Sequence, residues 1–216
     1  LCLSGCGGEA KQVVNVYNWG EYIDESIFDE FEEETGIQVN YSTFETNEAL
    51  YSTLKSGGSS YDVIIPSDYM ISRMIQEGML EELNFDNIPN AKQVDLSQFN
   101  VKSEALAYDA ENKYSVPYAW GSVGIIYNTK KVAGPVDGWG ALFDKANKGQ
   151  VLMFNNSRDA LGLALKYLGY SLNTTDEAQI KEATDLLIQQ KEDGIVQAYV
   201  MDQIFEKLEG GEAAIG

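Results

Sequence analysis

The sequence predicts an α/β fold built as two lobes. Three strand–helix units follow one another in the first third of the chain, a long apolar crossing segment comes after them, and another strand–helix unit opens the later part. Consecutive units of this kind imply a parallel sheet with right-handed crossovers. The expected division is residues 1–12 as a lead-in, 13–117 as the first lobe and 118–216 as the second.

The first unit starts at Val13-Val-Asn-Val-Tyr-Asn-Trp19, an apolar run rich in β-branched residues that breaks at Asn18-Trp19-Gly20. Past Asp24 the run Glu25-Ser-Ile-Phe-Asp-Glu-Phe-Glu-Glu-Glu34 has the amphipathic pattern of a helix, and Gly36 stands where a helix C-cap glycine belongs. Ile37-Gln-Val-Asn-Tyr-Ser-Thr-Phe44 alternates apolar and polar residues as a half-buried strand does. Thr46 or Asn47 can cap a second helix carrying Leu50 and Leu54 and stopping at Lys55-Ser-Gly-Gly58. A third strand, Tyr61-Asp-Val-Ile-Ile65, leads to Ser67, a candidate N-cap for a helix with Met70, Ile71, Met74 and Ile75 on one face and Gly78 at its end.

Residues 80–112 lack a strong period and read as loops and short helices. Tyr114 to Tyr127 is apolar, rich in small residues and extended, and Pro117 to Trp120 within it is the expected hinge between lobes. Val136–Phe143 reads as a loop and short helix, and Gln150-Val-Leu-Met-Phe154 as a strand. A helix with Leu161, Ala164, Leu165 and Leu168 on one face comes next, and Thr174 with Glu177 fits a capping box for the helix carrying Ala183, Leu186 and Leu187. Glu209 to Gly216 reads as the approach to another strand, so the expectation is a chain truncated before both lobes are complete.

An open α/β sheet binds its ligand outside the carboxyl ends of its strands. The first turn there carries Trp19, Glu21 and Tyr22, the second Glu45, and the third Ser67 and Tyr69. Each has an ordinary structural use, a hydrophobic plug for Trp19 and a helix cap for Ser67. Repetition of aromatic and hydroxyl groups on one edge is what suggests a site. In the later part, Asn156 and Asp159 stand at the corresponding strand–helix junction, where an acid in the first turn also suits the helix dipole.

Composition narrows the chemistry. A 44% apolar and 23% charged chain of 216 residues is globular by composition. Its formal charge of −19, from 34 acidic and 15 basic side chains, argues against nucleic acid and suits a cationic partner. Histidine is absent, which removes the commonest general base and the commonest transition-metal ligand. No metal or cofactor is expected, and an enzyme would have to work through carboxylates, as glycosidases do.

The cysteines, Cys2 and Cys6, both lie at the start and cannot staple the fold. Leu3-Ser4-Gly5-Cys6 resembles a bacterial lipobox, with the remnant of a signal peptide before it and residues 7–12 as a leash. The expectation is an extracytoplasmic protein anchored to the membrane through lipid on Cys6.

Several stretches carry a family resemblance: Tyr17-Asn-Trp-Gly-Glu-Tyr22, Glu33-Glu-Thr-Gly-Ile37, Tyr61-Asp-Val-Ile-Ile-Pro-Ser67, Val116-Pro-Tyr-Ala-Trp120, Leu168-Gly-Tyr-Ser171 and Asn173-Thr-Thr-Asp176. In register from about residue 13 to the end, they resemble the periplasmic spermidine/putrescine-binding proteins. The resemblance implies a two-lobed periplasmic-binding-protein-like fold of type II that closes on its ligand, and a polyamine receptor serving an ABC permease. By position it implies Trp19 and Tyr22 as aromatic walls, Ser67 and Tyr69 as polar contacts near one amine, and Glu21 as an acidic neighbour. It further implies Asp159 as the carboxylate for an ammonium group. Asn156 stands where the spermidine binders place another carboxylate, which removes one charge, and Gly20 replaces a hydroxyl residue. The family's remaining aromatic wall and central aspartate fall beyond residue 216.

Three other readings compete. A receptor of the same fold for a sugar or phosphonate differs only in motif register, and a ferric-ion receptor would call for a tyrosine cluster with histidine or carboxylate that is not visible in the sequence. A carboxylate-dependent glycosidase would need two facing acids, one with a raised pKa, and neither Glu21 nor Asp159 stands in a stretch apolar enough to raise it. A structural or adhesive lipoprotein leaves the aromatic strand ends without a use.

Overall fold

The computed structural model describes residues 11–94, 107–109, 113–132 and 134–216. The lipobox at Leu3–Cys6 and the leash up to residue 10 lie outside the described residues, as does much of the 80–112 stretch. The described residues up to Gly121 form one compact unit and those from Ser122 onward a second. The division falls four residues past the expected 117/118. Tyr118 stays with the first unit because its hydroxyl donates to the carbonyl oxygen of Tyr22.

In the first unit β1 (Gln12–Trp19) is central, flanked by β2 (Ile37–Phe44) and β3 (Val63–Ile64), and both pairings are parallel. Eight residue pairs join β1 to β2, from Gln12 opposite Ile37 to Trp19 opposite Phe44. Gln12, expected in the leash, is thus already in the sheet, and Lys11 is ion-paired to Glu32 at 2.5 Å. β3 is shorter than the run Tyr61–Ile65, although the Asp62 and Ile65 amides still donate to the carbonyls of Asn15 and Tyr17.

Among the described residues of the first unit, three α-helices follow the strands, with short 3-10 turns after them. α1 (Ile27–Thr35) ends at Gly36, whose φ of 73° lies in the left-handed region, and its Phe28 leans on Tyr41 at 5.0 Å. α2 (Asn47–Lys55) is capped by Thr46, whose hydroxyl oxygen accepts from the Ala49 amide at 3.1 Å. α3 (Asp68–Gln76) buries Met70 and Met74. Tyr17, Phe44, Leu50 and the two methionines form the core, with Tyr61 stacked on Tyr17 at 4.3 Å.

In the second unit, short 3-10 turns at Trp139–Leu142 and Lys145–Asn147 lead to β4 (Val151–Phe154) and α4 (Ser157–Tyr167). α5 (Glu177–Glu192) crosses over to β5 (Val196–Val200), parallel to β4, and α6 (Ile204–Glu209) follows. Beyond it Ile215 bridges Val151 and Tyr127, so the stretch after Glu209 does arrive at the sheet. Leu142, Val151, Met153, Leu163, Ile195 and Ile215 form the core. β5 has no counterpart in the sequence-based expectations. The capping box at Thr174 and Glu177 is not formed. Asp176 caps α5, accepting from the Ala178 amide at 2.8 Å, because its carboxylate stands directly ahead of Glu177 and reaches amides that Thr174 cannot. Thr174 donates to the side chain of Gln179.

Among the described residues no helix is long and apolar enough to cross a membrane, and no group of three or more His, Cys, Asp or Glu side chains could hold a metal ion.

Candidate ligand-binding site

The parallel order β2-β1-β3 brings all three strand-to-helix turns of the first unit to one edge. β1 ends on Trp19, whose indole packs on Phe44 at 4.6 Å and lies 6.1 Å from the Tyr22 ring. Two bonds hold the end of the strand. The Trp19 amide donates to the side chain of the fully buried Asn18 at 2.8 Å, and the Tyr41 hydroxyl donates to the Trp19 carbonyl at 3.0 Å. Tyr22 is 52% exposed, and Tyr118 secures its backbone. Tyr22 is thus well exposed to solvent, while Trp19 packs against the core through Phe44. Glu21 and Glu45 are exposed in their turns.

Ser67 and Tyr69 meet at a residue the sequence did not single out as a contact. Asn47 is fully buried, and its Nδ2 donates to the Ser67 Oγ at 3.1 Å and to the Tyr69 hydroxyl at 2.9 Å. Its Oδ1 accepts from the Ser67 amide at 3.0 Å. The Tyr69 hydroxyl donates onward to Glu48 at 3.4 Å. Ser67 occupies the N-cap position of α3, but its side chain makes no cap bond, because Asn47 claims it. The expectation of a capping serine is corrected accordingly. The only sequence signal for Asn47 was a polar residue in excess of what the cap required, since Thr46 suffices for α2.

In the second unit the roles are reversed. Asn156, expected as a ligand contact, is buried and caps α4 through its Oδ1, which accepts from the Arg158 amide at 3.0 Å. Asp159, in the first turn of α4, is half-buried, and no hydrogen bond reaches its carboxylate among the described residues. Burial pushes its pKa above the ordinary carboxylate value, and the neighbouring Arg158 guanidinium offsets this only in part. The expectation that Asp159 lacks a pKa-raising setting is therefore overturned: neighbours brought in by the fold desolvate it.

A desolvated carboxylate lacking a hydrogen-bond donor favours a cation, aromatic faces suit methylenes and cations, and hydroxyl oxygens accept from N–H groups. The chain belongs to the bacterial extracellular solute-binding proteins, whose family model matches residues 26–216. The family is an extracytoplasmic one, and its members are binding proteins. A spermidine/putrescine-binding periplasmic protein of Haemophilus influenzae is 36% identical over 210 residues, covering 96% of this chain and 56% of that protein. A provisionally assigned spermidine/putrescine ABC transporter from Listeria monocytogenes superposes with a TM-score of 0.84 at 41% identity, covering 94% of this chain and 61% of the other. A lipoprotein of Treponema pallidum superposes with a TM-score of 0.82 at 29% identity, covering 94% of this chain and 62% of the other. These likenesses place the α/β fold among the periplasmic binding proteins. The chain spans little more than half the length of the relatives it matches.

Proposed function

We propose that this chain captures polyamines, putrescine or spermidine, outside the cytoplasmic membrane and delivers them to the permease of an ABC transporter. The reading is carried by Asp159, a half-buried acid that burial pushes above the ordinary carboxylate pKa and that accepts no hydrogen bond among the described residues. A polyamine is a chain of ammonium groups joined by methylenes. Asp159 offers a carboxylate to an ammonium group, and Trp19 and Tyr22 offer aromatic faces of the kind that each add about 0.5–2 kcal/mol of cation–π attraction. Ser67 and Tyr69 accept from an amine, and Glu21 adds negative charge at the same edge as Trp19. Asn156 stabilises α4 and contributes no charge. The spermidine/putrescine binding of the Haemophilus relative supports the ligand class, and its periplasmic name supports the compartment. Capture and delivery make and break no covalent bond, so no catalytic residue is assigned. Lipid on Cys6 as the membrane anchor is supported by Leu3-Ser4-Gly5-Cys6 and by a relative that is itself a lipoprotein.

Thermal denaturation with putrescine, spermidine, maltose and magnesium chloride tests the reading. A polyamine at a hundred times its Kd adds about 2.7 kcal/mol of stability. Stabilisation by polyamine and not by maltose or magnesium is expected. Equal shifts with magnesium would reduce the effect to the acidic surface, and stabilisation by maltose alone would favour a sugar receptor.

A further inference from the structure

We propose that Tyr118 is a positioning residue of the site, its hydroxyl holding the turn that presents Glu21 and Tyr22 in the conformation that meets an ammonium ligand. The inference rests on the polyamine reading above. The turn runs from the end of β1 at Trp19 to the start of α1 at Ile27. Its two ends are tied locally. At Trp19 the amide donates to the Asn18 side chain and the carbonyl accepts from Tyr41, while the Ile27 and Phe28 amides donate to the carbonyls of Asp24 and Glu25. Gly20, Glu21, Tyr22 and Ile23 lie between these ends. Among the described residues the only hydrogen bond to their backbone is the one that the Tyr118 hydroxyl donates to the Tyr22 carbonyl oxygen.

The two side chains are about half exposed, Tyr22 at 52% and Tyr118 at 49%, so neither is locked by burial. A turn without ladder bonds keeps backbone freedom that a ligand would have to remove on binding. The bond from Tyr118 removes part of it beforehand, and it does so at the residue whose ring stands 6.1 Å from the Trp19 indole. The anchor comes from 96 positions further along the chain, in the crossing segment just before the first unit ends at Gly121. The turn is thus held by β2 at Trp19, through Tyr41, and by the crossing segment at Tyr22, through Tyr118.

Calorimetric titration of the protein with putrescine separates this role from a general structural one. Tyr118→Phe removes the hydroxyl and keeps the ring. It is expected to weaken binding about fivefold in the wild-type background. In the Glu21→Gln/Tyr22→Ala background the loss should be less than about twofold, because the turn no longer carries the side chains that the bond positions. Tyr114→Phe is the control: it removes a hydroxyl of the same segment that bonds Glu82 and not the turn, and it should leave affinity unchanged. Circular dichroism confirms that each variant is folded. A loss from Tyr118→Phe that is equal in both backgrounds would mean that the hydroxyl meets the ligand directly or supports the fold at large, and would overturn the proposal. Wild-type affinity in Tyr118→Phe, or an equal loss from Tyr114→Phe, would overturn it too. A wild-type protein that binds no polyamine in the same titration would overturn the functional reading, and this proposal with it.

Discussion

The hydroxyl of Tyr41 donates to the carbonyl oxygen of Trp19 at 3.0 Å, so β2 fixes the last residue of β1 where the first strand-to-helix turn begins. Tyr41→Phe keeps the ring against Phe28 and removes only this bond. The expected cost is about 1 kcal/mol in urea denaturation, with a few-fold loss of putrescine affinity as Trp19 loosens. Full stability with unchanged affinity would show that the bond does not position Trp19.

Asp159 and Ser67 should differ in what their removal costs. Asp159→Asn leaves a ligand ammonium without its counter-charge, a loss of about 2–5 kcal/mol of binding energy. Ser67→Ala removes one neutral hydrogen bond, about 0.5–1.5 kcal/mol. Calorimetry on the two variants decides the ranking, and a costlier serine would invalidate the roles assigned to them.

The same acid gives a pH signature. Burial raises the Asp159 pKa in the folded protein above its ordinary value of 3.8. Between the unfolded and folded values the native state retains a proton that the unfolded chain has released, so stability falls as pH rises through that window. Asp159→Asn should therefore raise the melting temperature of the ligand-free protein at pH 7, by a few degrees at most, and change it little below pH 3.8. Ammonium binding favours the ionised acid, so wild-type affinity should climb as pH rises through the same window.

At the surface Glu77 behaves in the opposite way. It accepts from Lys55 at 2.7 Å, from the Tyr51 hydroxyl and from Arg73 at 3.0 Å, while the Arg73 guanidinium lies 3.9 Å above the Tyr51 ring. The hydrogen bond from Lys55, then those from Tyr51 and Arg73, lower its pKa from 4.5 to about 2. A depressed carboxylate contributes stability that is fully present above its unfolded pKa and lost as pH falls through the folded one. Glu77→Gln should be less stable than wild type at pH 7, with the difference closing between pH 4.5 and about 2. Salt at neutral pH should narrow it as well, since exposed charges are screened.

The sheet edge was legible in the sequence because it depends on local patterns. Alternation in Ile37–Phe44, the apolar run ending at Trp19 and the glycine at 36 each report on their own segment. The partners of Ser67 and Asn156 were not legible. A small polar residue at a strand–helix junction can cap the helix or meet a ligand, and both uses call for the same residue types. The outcome at Ser67 depends on Asn47, twenty positions earlier, and no local pattern encodes that approach. Asn156 has no such competitor among the described residues and takes the cap. The desolvation of Asp159 was likewise hidden, because burial is a property of the folded chain and not of a residue type. β5 was missed for a different reason: Val196–Val200 is short and follows a long helix directly, and its identity as a strand rests on β4 lying beside it.

The unbroken ladder between β1 and β2 works as a ruler. Because successive side chains of a strand face opposite ways, a slip of one residue against Ile37–Phe44 would bring Asn18 to the place of Trp19 and turn the aromatic row inside out. What the edge presents to a solute is thus decided by counting along the strand from Gln12. An insertion or deletion within β1 would change the side chains presented at this edge without altering the later turns themselves.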